Sequence, residues 1–143
     1  MHTLGVDAPK RVHEAVALDP AGREAGRRRV PNTAAGWRDL LAWATGLGGE
    51  DAPRRWGIEG VWGYGRGVAQ HLVAAGEAVY ALRPRWTAEA RKRAPKPDKS
   101  DVRDALVVAR LVLQDAAASP RSLQFRRRPE LETLRGCIRA ARP

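Results

Sequence analysis

Cysteine is nearly absent: Cys137 is the only one in 143 residues. No internal disulfide can form, and no cysteine-based zinc site can assemble. Histidine is scarce too, and His2, His13 and His71 show no ligand-like spacing, which argues against a structural zinc site. No run of about 20 apolar residues occurs, so no segment is expected to span a membrane. Asp7 and Lys10 interrupt the beginning of the chain, which therefore lacks the apolar core of a signal peptide. A soluble, cytoplasmic protein is the expectation. Lysine is the last scarcity. Only Lys10, Lys92, Lys96 and Lys99 stand among 26 basic residues, against 16 acidic ones, for a net charge of +10 and a pI near 11.1. Arginine grips phosphate through two parallel hydrogen bonds, so the bias suits a nucleic-acid partner. A genome rich in arginine codons produces the same bias, and the Ala- and Gly-rich composition fits that equally well.

What is present suffices for one folded domain. The hydrophobic fraction is 43%, a globular rather than a disordered value. Thr3 to Asp7 reads as a strand ending in an acid, and His13 to Leu18 as a second. Asp19-Pro20-Ala21-Gly22 is a turn, with proline second and glycine fourth. Arg23 to Val30 is a third strand, and Arg27, Arg28 and Arg29 mark it as an exposed edge. Asn32 or Thr33 caps a first helix carrying Trp37, Leu40, Leu41 and Ala44 at helical spacing, with Trp37 and Leu41 in the core. Arg55 to Glu59 is a fourth strand, again ending in an acid. A glycine-rich elbow follows, then a helix over 65–75 with Val68, Leu72 and Val73 inward, then a fifth strand over 77–82. Strands alternating with helices after a meander predict an α/β fold with a mixed five-stranded sheet flanked by helices.

Lys99-Ser100-Asp101-Val102-Arg103-Asp104-Ala105 organises the rest. Ser100 is a good N-cap, so a helix should begin near Asp101 and run to about Gln114. Residues at i and i+3 share a helix face, so Asp101 and Asp104 point the same way, on a face that continues through Val108 and Leu111, which are expected to be buried. Two readings stand at this point. The carboxylates hold a hard divalent cation, or Asp101 merely favours the helix dipole while Asp104 is solvated. Asp7 and Glu59 widen the first reading. If strands one and four are neighbours, four acids gather at strand ends, where open α/β sheets place active sites. They suit two magnesium ions about 4 Å apart and phosphoryl transfer.

Arg83 to Lys99 is a basic, proline-broken loop. Arg83, Arg85, Arg91, Lys92, Arg93, Lys96 and Lys99 suit a phosphate backbone, and Trp86 suits stacking on a base. A solvated loop with Trp86 tucked into the core is the other reading. Residues 116–128 read as a linker, and Pro129 opens a last helix with Leu131, Leu134 and Ile138 on one stripe. So short an amphipathic helix needs a partner surface, so the chain reads as part of something longer.

Four blocks occur in order: Gly5-Val6-Asp7-Ala8-Pro9-Lys10, Pro31 to Gly36, Glu59 with Tyr64, and Lys99 to Ala105. Together the chain resembles the amino-terminal DEDD domain of insertion-sequence transposases of the bridge-RNA-guided recombinase type. That domain is similar to the RuvC-like, Holliday-junction-resolvase branch of the ribonuclease H fold. The resemblance implies a ribonuclease H-like domain over 1–116. It also implies a linker and the start of a coiled-coil helical hairpin over 117–143, with a second, serine-bearing catalytic domain missing. It implies that Asp7, Glu59, Asp101 and Asp104 are catalytic and bind Mg, or Mn. It implies DNA and guide RNA as partners, with Lys10 and the 83–99 loop in contact with them, and a homo-oligomer in the full-length protein. A fragment inactive alone in recombination is expected. A non-catalytic RNA- or DNA-binding module and a stand-alone junction nuclease are the alternatives. One departure stands out. The family usually has Thr-Gly where this chain has Val61 and Trp62, so a bulky ring stands where close backbone approach is expected; the expectation is that it crowds the site, as in a decayed or inactive copy.

Overall fold

The computed structural model describes residues 1–49, 51–82, 92, 101–118 and 124–125, with side chains described at all of these except 101–103, 115–118 and 124–125. The strands are β1 (His2–Asp7), β2 (Val12–Leu18), β3 (Glu24–Pro31), β4 (Arg54–Glu59), β5 (Ala78–Leu82) and β6 (Gln124–Phe125). The helices are α1 (Ala34–Gly48), α2 (Arg66–Ala74) and α3 (Asp101–Ala118). The sheet order is β3-β2-β1-β4-β5-β6. β1, β2 and β3 form the expected antiparallel meander, and β4 and β5 run parallel to β1.

The central strands are buried on both faces, which explains why β1 and β2 read as apolar runs rather than alternating ones. On one face Leu4 and Val6 of β1, Ala15 and Ala17 of β2, and Trp56 and Ile58 of β4 pack against Leu40 and Ala44 of α1 and Val68 and Leu72 of α2. On the other face Val16 and Leu18 meet Ala105 and Ala109 of α3, and Leu82 meets Val108 and Val112. Thr33 caps α1, its Oγ1 accepting from the Gly36 amide at 3.1 Å. Asn32 does a different job. Its Oδ1 accepts from the Trp37 indole at 3.2 Å, and its Nδ2 donates to the Lys10 carbonyl at 3.0 Å, so the β1–β2 turn is tied to α1.

Gly5 and Gly57 are directly paired across β1 and β4 and face α3. A Cβ on Gly5 would lie 2.2 Å from the Ala105 carbonyl oxygen and 2.3 Å from the Ala109 amide nitrogen. On Gly57 it would lie 2.2 Å from Cγ2 of Val112. The helix therefore rests on bare backbone at the middle of the sheet.

Three expectations are corrected. Helix α3 continues to Ala118 rather than Gln114, because Ala116 to Ala118 are strong helix formers. The stretch 116–128 is not purely a linker: Gln124–Phe125 adds a two-residue sixth strand antiparallel to β5, a pairing that supplies no local sequence signal. Leu111 is half-buried rather than buried. β3 is the exposed edge that its arginines implied, with Arg28 bridging to Asp39 of α1 at 2.6 Å and Arg27 pairing with Glu24. Ser100 and the helix proposed from Pro129 lie outside the described residues.

Gly5→Ala is expected to cost at least about 2 kcal/mol, because a backbone contact cannot give way as a side chain can. Gly46→Ala, in α1 with nothing within 4 Å, should instead stabilise by about 0.5–1 kcal/mol. Denaturant midpoints of the two variants check both signs.

His13 is fully buried, and no hydrogen bond of good geometry reaches either ring nitrogen. Burial pushes its pKa below the ordinary histidine value, with Asn32 and the Pro9 backbone pulling part of the way back. The unfolded chain then binds more protons than the folded one below about pH 6.5. Stability is expected to be full above that pH and to fall as pH drops toward the lowered folded value. Chemical unfolding at pH 7.5 and 5.5 should show the loss in the wild type and a smaller one in His13→Asn. A remainder is expected from His71, which burial and Arg38 also hold low.

Candidate active site

Side chains from distant segments meet at the carboxyl ends of β1 and β4. Val6 pairs with Ile58 in the parallel ladder, so Asp7 and Glu59, one residue further on, occupy neighbouring positions. Alternation along each strand puts Asp7 with Gly5, and Glu59 with Gly57, on the face that α3 covers. Asp104 directly precedes Ala105, whose carbonyl abuts Gly5. The glycine contact thus fixes where Asp104 stands along β1. All three acids are half-buried. Asp101 opens α3, and its side chain lies outside the described residues.

Among the described residues, no three His, Cys, Asp or Glu side chains stand close enough to hold a metal ion. The donor chemistry still fits a hard divalent cation, because Asp7, Glu59 and Asp104 offer carboxylate oxygens alone.

The sequence reading missed Glu14. It pairs directly with Asp7 across the β1–β2 hairpin, and with Arg29 on its other side. Only 7% of it is exposed, and Arg29 Nε stands 3.3 Å from its Oε1. A row of acids, Glu14–Asp7–Glu59, therefore crosses three strands on the α3 face. The signal was available: once the hairpin register is counted, Glu14 falls opposite Asp7.

The elbow after Glu59 has a defined shape. Gly60 has φ +84°, and its carbonyl accepts from the amides of both Gly63 and Gly65 at 2.9 Å. A Cβ on Gly65 would lie 2.9 Å from that same oxygen. Val61 is fully buried against the α1–α2 face of the core, whereas Trp62 is 38% and Tyr64 55% exposed. Val61 turns inward and the larger ring stands at the surface.

Lys10 and Arg11 are exposed in the turn that follows Asp7, and Lys92 is exposed. Arg83, Arg85, Trp86, Arg91, Arg93, Lys96 and Lys99 lie outside the described residues.

Over residues 4–141 the chain matches the transposase family of the DEDD type, IS110. It is similar to Thermus thermophilus RuvC in complex with Holliday junction substrate, at 15% identity and a TM-score of 0.59, over 87% of this chain and 99% of that one. A second Thermus thermophilus RuvC structure matches at 14% identity and a TM-score of 0.57, with the same coverage. At these identities the likeness shows the fold, which is the mixed sheet of the ribonuclease H type. No curated protein matches the chain.

The elbow's two neighbours should respond oppositely to truncation. Val61→Ala is expected to cost about 2 kcal/mol by opening a cavity in the core. Trp62→Ala removes more atoms but sits at the surface and should cost less. Thermal unfolding of both variants checks the order.

Proposed function

The chain belongs to the DEDD transposase family of the IS110 type, and from that premise we propose that Asp7, Glu59, Asp101 and Asp104 form a divalent-metal site that serves DNA strand transfer. The observation that carries this reading is the parallel pairing of β1 and β4. It sets Asp7 and Glu59 side by side on the face where α3 brings Asp104. A fold likeness to RuvC, solved with a Holliday junction, supports DNA as the substrate, and so does the arginine-rich charge of +10.

Magnesium or manganese, when bound, supplies a positive clamp on phosphate oxygens during phosphoryl transfer. The protein's own residues do the rest. Asp7, Glu59 and Asp104 would offer that cation carboxylate oxygens from three separate elements. Lys10 and Arg11, in the turn after Asp7, hold a phosphate backbone beside the acids. Lys92 and the rest of the basic 83–99 segment extend that contact.

Further parts of the reading come from the family. The catalytic domain covers 1–116, and 117–143 leads into a helical hairpin. A second domain supplies a serine nucleophile, guide RNA directs the reaction, and the full-length protein is a homo-oligomer in the cytoplasm. No helix among the described residues is long and apolar enough to cross a membrane.

One observation favours a second reading, a nucleic-acid-binding module without chemistry: no described trio of side chains stands at metal-holding distance. Metal titration followed by thermal unfolding separates the two. Saturating Mg or Mn at about 100 times Kd should stabilise the wild type by about 2.7 kcal/mol. Asp7→Asn should lose that gain, each protein being compared with its own metal-free stability. Equal stabilisation of both proteins would overturn the metal site and leave the binding module.

A further inference from the structure

We propose that the α3 side of the β3 edge seats one arm of duplex DNA by its phosphates, through Arg27, Arg29 and Arg110, an inference that rests on the DNA reading above. The surface arises from how the layers overlap. α3 packs on β1, β2 and β4, whereas β3 is packed by α1 from the opposite face. Hairpin register sorts the β3 side chains between the two. Arg28 pairs with Ala15 and reaches Asp39 of α1, while Arg27 and Arg29 pair with Val16 and Glu14 on the α3 side. The side chains of Arg27 and Arg29 are 53% and 68% exposed. They form an open shelf beside the helix.

α3 supplies the wall of the shelf. Leu113 stands 3.3 Å from where a Cβ on Gly22 would lie, so this side of the helix overlooks the β2–β3 turn. Arg110 is exposed and lies one turn earlier on the same side. It acts on the start of β3: the Glu24 carboxyl is held below its ordinary pKa by its hydrogen bond to Arg27, and the charge of Arg110 adds to that. Arg11 stands at the other end of the strand, exposed, with its carbonyl accepting from the Asn32 amide at 2.8 Å. The four arginines outnumber Glu14 and Glu24, and the two ion pairs open to solvent are weak enough for a phosphate to share their guanidinium groups. Neither β3 nor α3 carries an aromatic residue, so nothing on the shelf stacks on a base. Such a surface positions a phosphate backbone without reading it, and a duplex presents its phosphates outward. Arg27 and Arg29 stand about 7 Å apart on a paired strand, a rigid support. Charge on an edge strand also guards against pairing with other chains, but that duty does not call on Arg110 of α3. Arg29 meets Glu14, which pairs with Asp7, so an arm seated here runs toward the acid row.

The test is fluorescence anisotropy with the full chain, titrated at several salt concentrations against a labelled DNA duplex in two unrelated sequences and an RNA duplex. Arg27→Gln is combined with Arg110→Gln, which leaves the Arg29–Glu14 pair in place. Arg28→Gln with Arg38→Gln removes the same charge from the α1 side and serves as the control. At about 0.9 per phosphate contact, the shelf variant should lower the salt slope by about 1.8 on both DNA sequences. Between about 50 and 200 mM salt the wild type should then lose about tenfold more affinity than the shelf variant. The control should keep the wild-type slope. Lysine at positions 27 and 110 should also keep it, because a point charge still displaces counterions. An unchanged slope in the shelf variant, an equal fall in the control, a lysine variant no better than the glutamine one, or a fall confined to the RNA duplex overturns the seat. Failure of the wild type to bind any DNA removes the DNA reading itself, and the seat with it. Binding by the wild type with an indifferent shelf variant removes the seat alone.

Discussion

A helix resting on two bare backbones is the contact from which the arrangement of the site follows. Gly5 and Gly57 lie side by side in the middle of the sheet, and α3 approaches until its own backbone at Ala105 and Ala109 touches β1. Such an approach admits no side chain at Gly5. It also leaves no slack along the helix, because sliding α3 by one residue would bring a Cβ against the strand. The register of α3 on β1 is therefore set by sterics, and the position of Asp104 is set with it. Hydrophobic burial alone would not do this. Val108 and Val112 pack well, but apolar contacts tolerate small shifts far better than backbone against backbone does.

The acids exploit a fold that is otherwise apolar on that face. Glu14 and Asp7 pair across the hairpin, and Asp7 stands next to Glu59. Like charges directly opposite one another in a sheet are destabilising. Arg29, on the edge strand, offsets one end of the row through Glu14. That ion pair reaches into solvent on the arginine side, so its attraction is screened. One rim of the sheet thereby carries several carboxylates on a face that is otherwise apolar. The net charge of the chain has the opposite sign. A polyanion would be drawn by such an excess of arginine, while carboxylates would repel its phosphates.

Much of this was legible in the sequence because its signals were local. Turn residues at Asp19 to Gly22, the Thr33 cap and the strand-terminal acids Asp7 and Glu59 located the elements within a residue or two. Five strands and the exposed β3 edge followed from them. What escaped was long-range. β6 exists only through its pairing with β5, and two residues carry no periodicity. Glu14 looked like an ordinary strand residue until hairpin register placed it opposite Asp7. The inward turn of Val61 in the elbow after Gly60, whose φ is positive, has no periodicity to announce it. The pairing of Gly5 with Gly57 was also invisible, since it depends on the parallel register of strands some fifty residues apart.

The rim keeps its features because little of the packing depends on them. Leu4, Val6, Trp56 and Ile58 bury the face toward α1 and α2, and they stop one residue short of the acids. Beyond that point the strands enter turns: Ala8 to Arg11 after β1, and Gly60 to Gly65 after β4. Each turn is held by anchors that do not involve its exposed side chains. Asn32 fastens the first through the Lys10 carbonyl, and Val61 with the Gly60 carbonyl fastens the second. Lys10 and Tyr64 are consequently displayed on fixed supports. In such an arrangement the core specifies where the acids stand, and the turns are left to specify what reaches them.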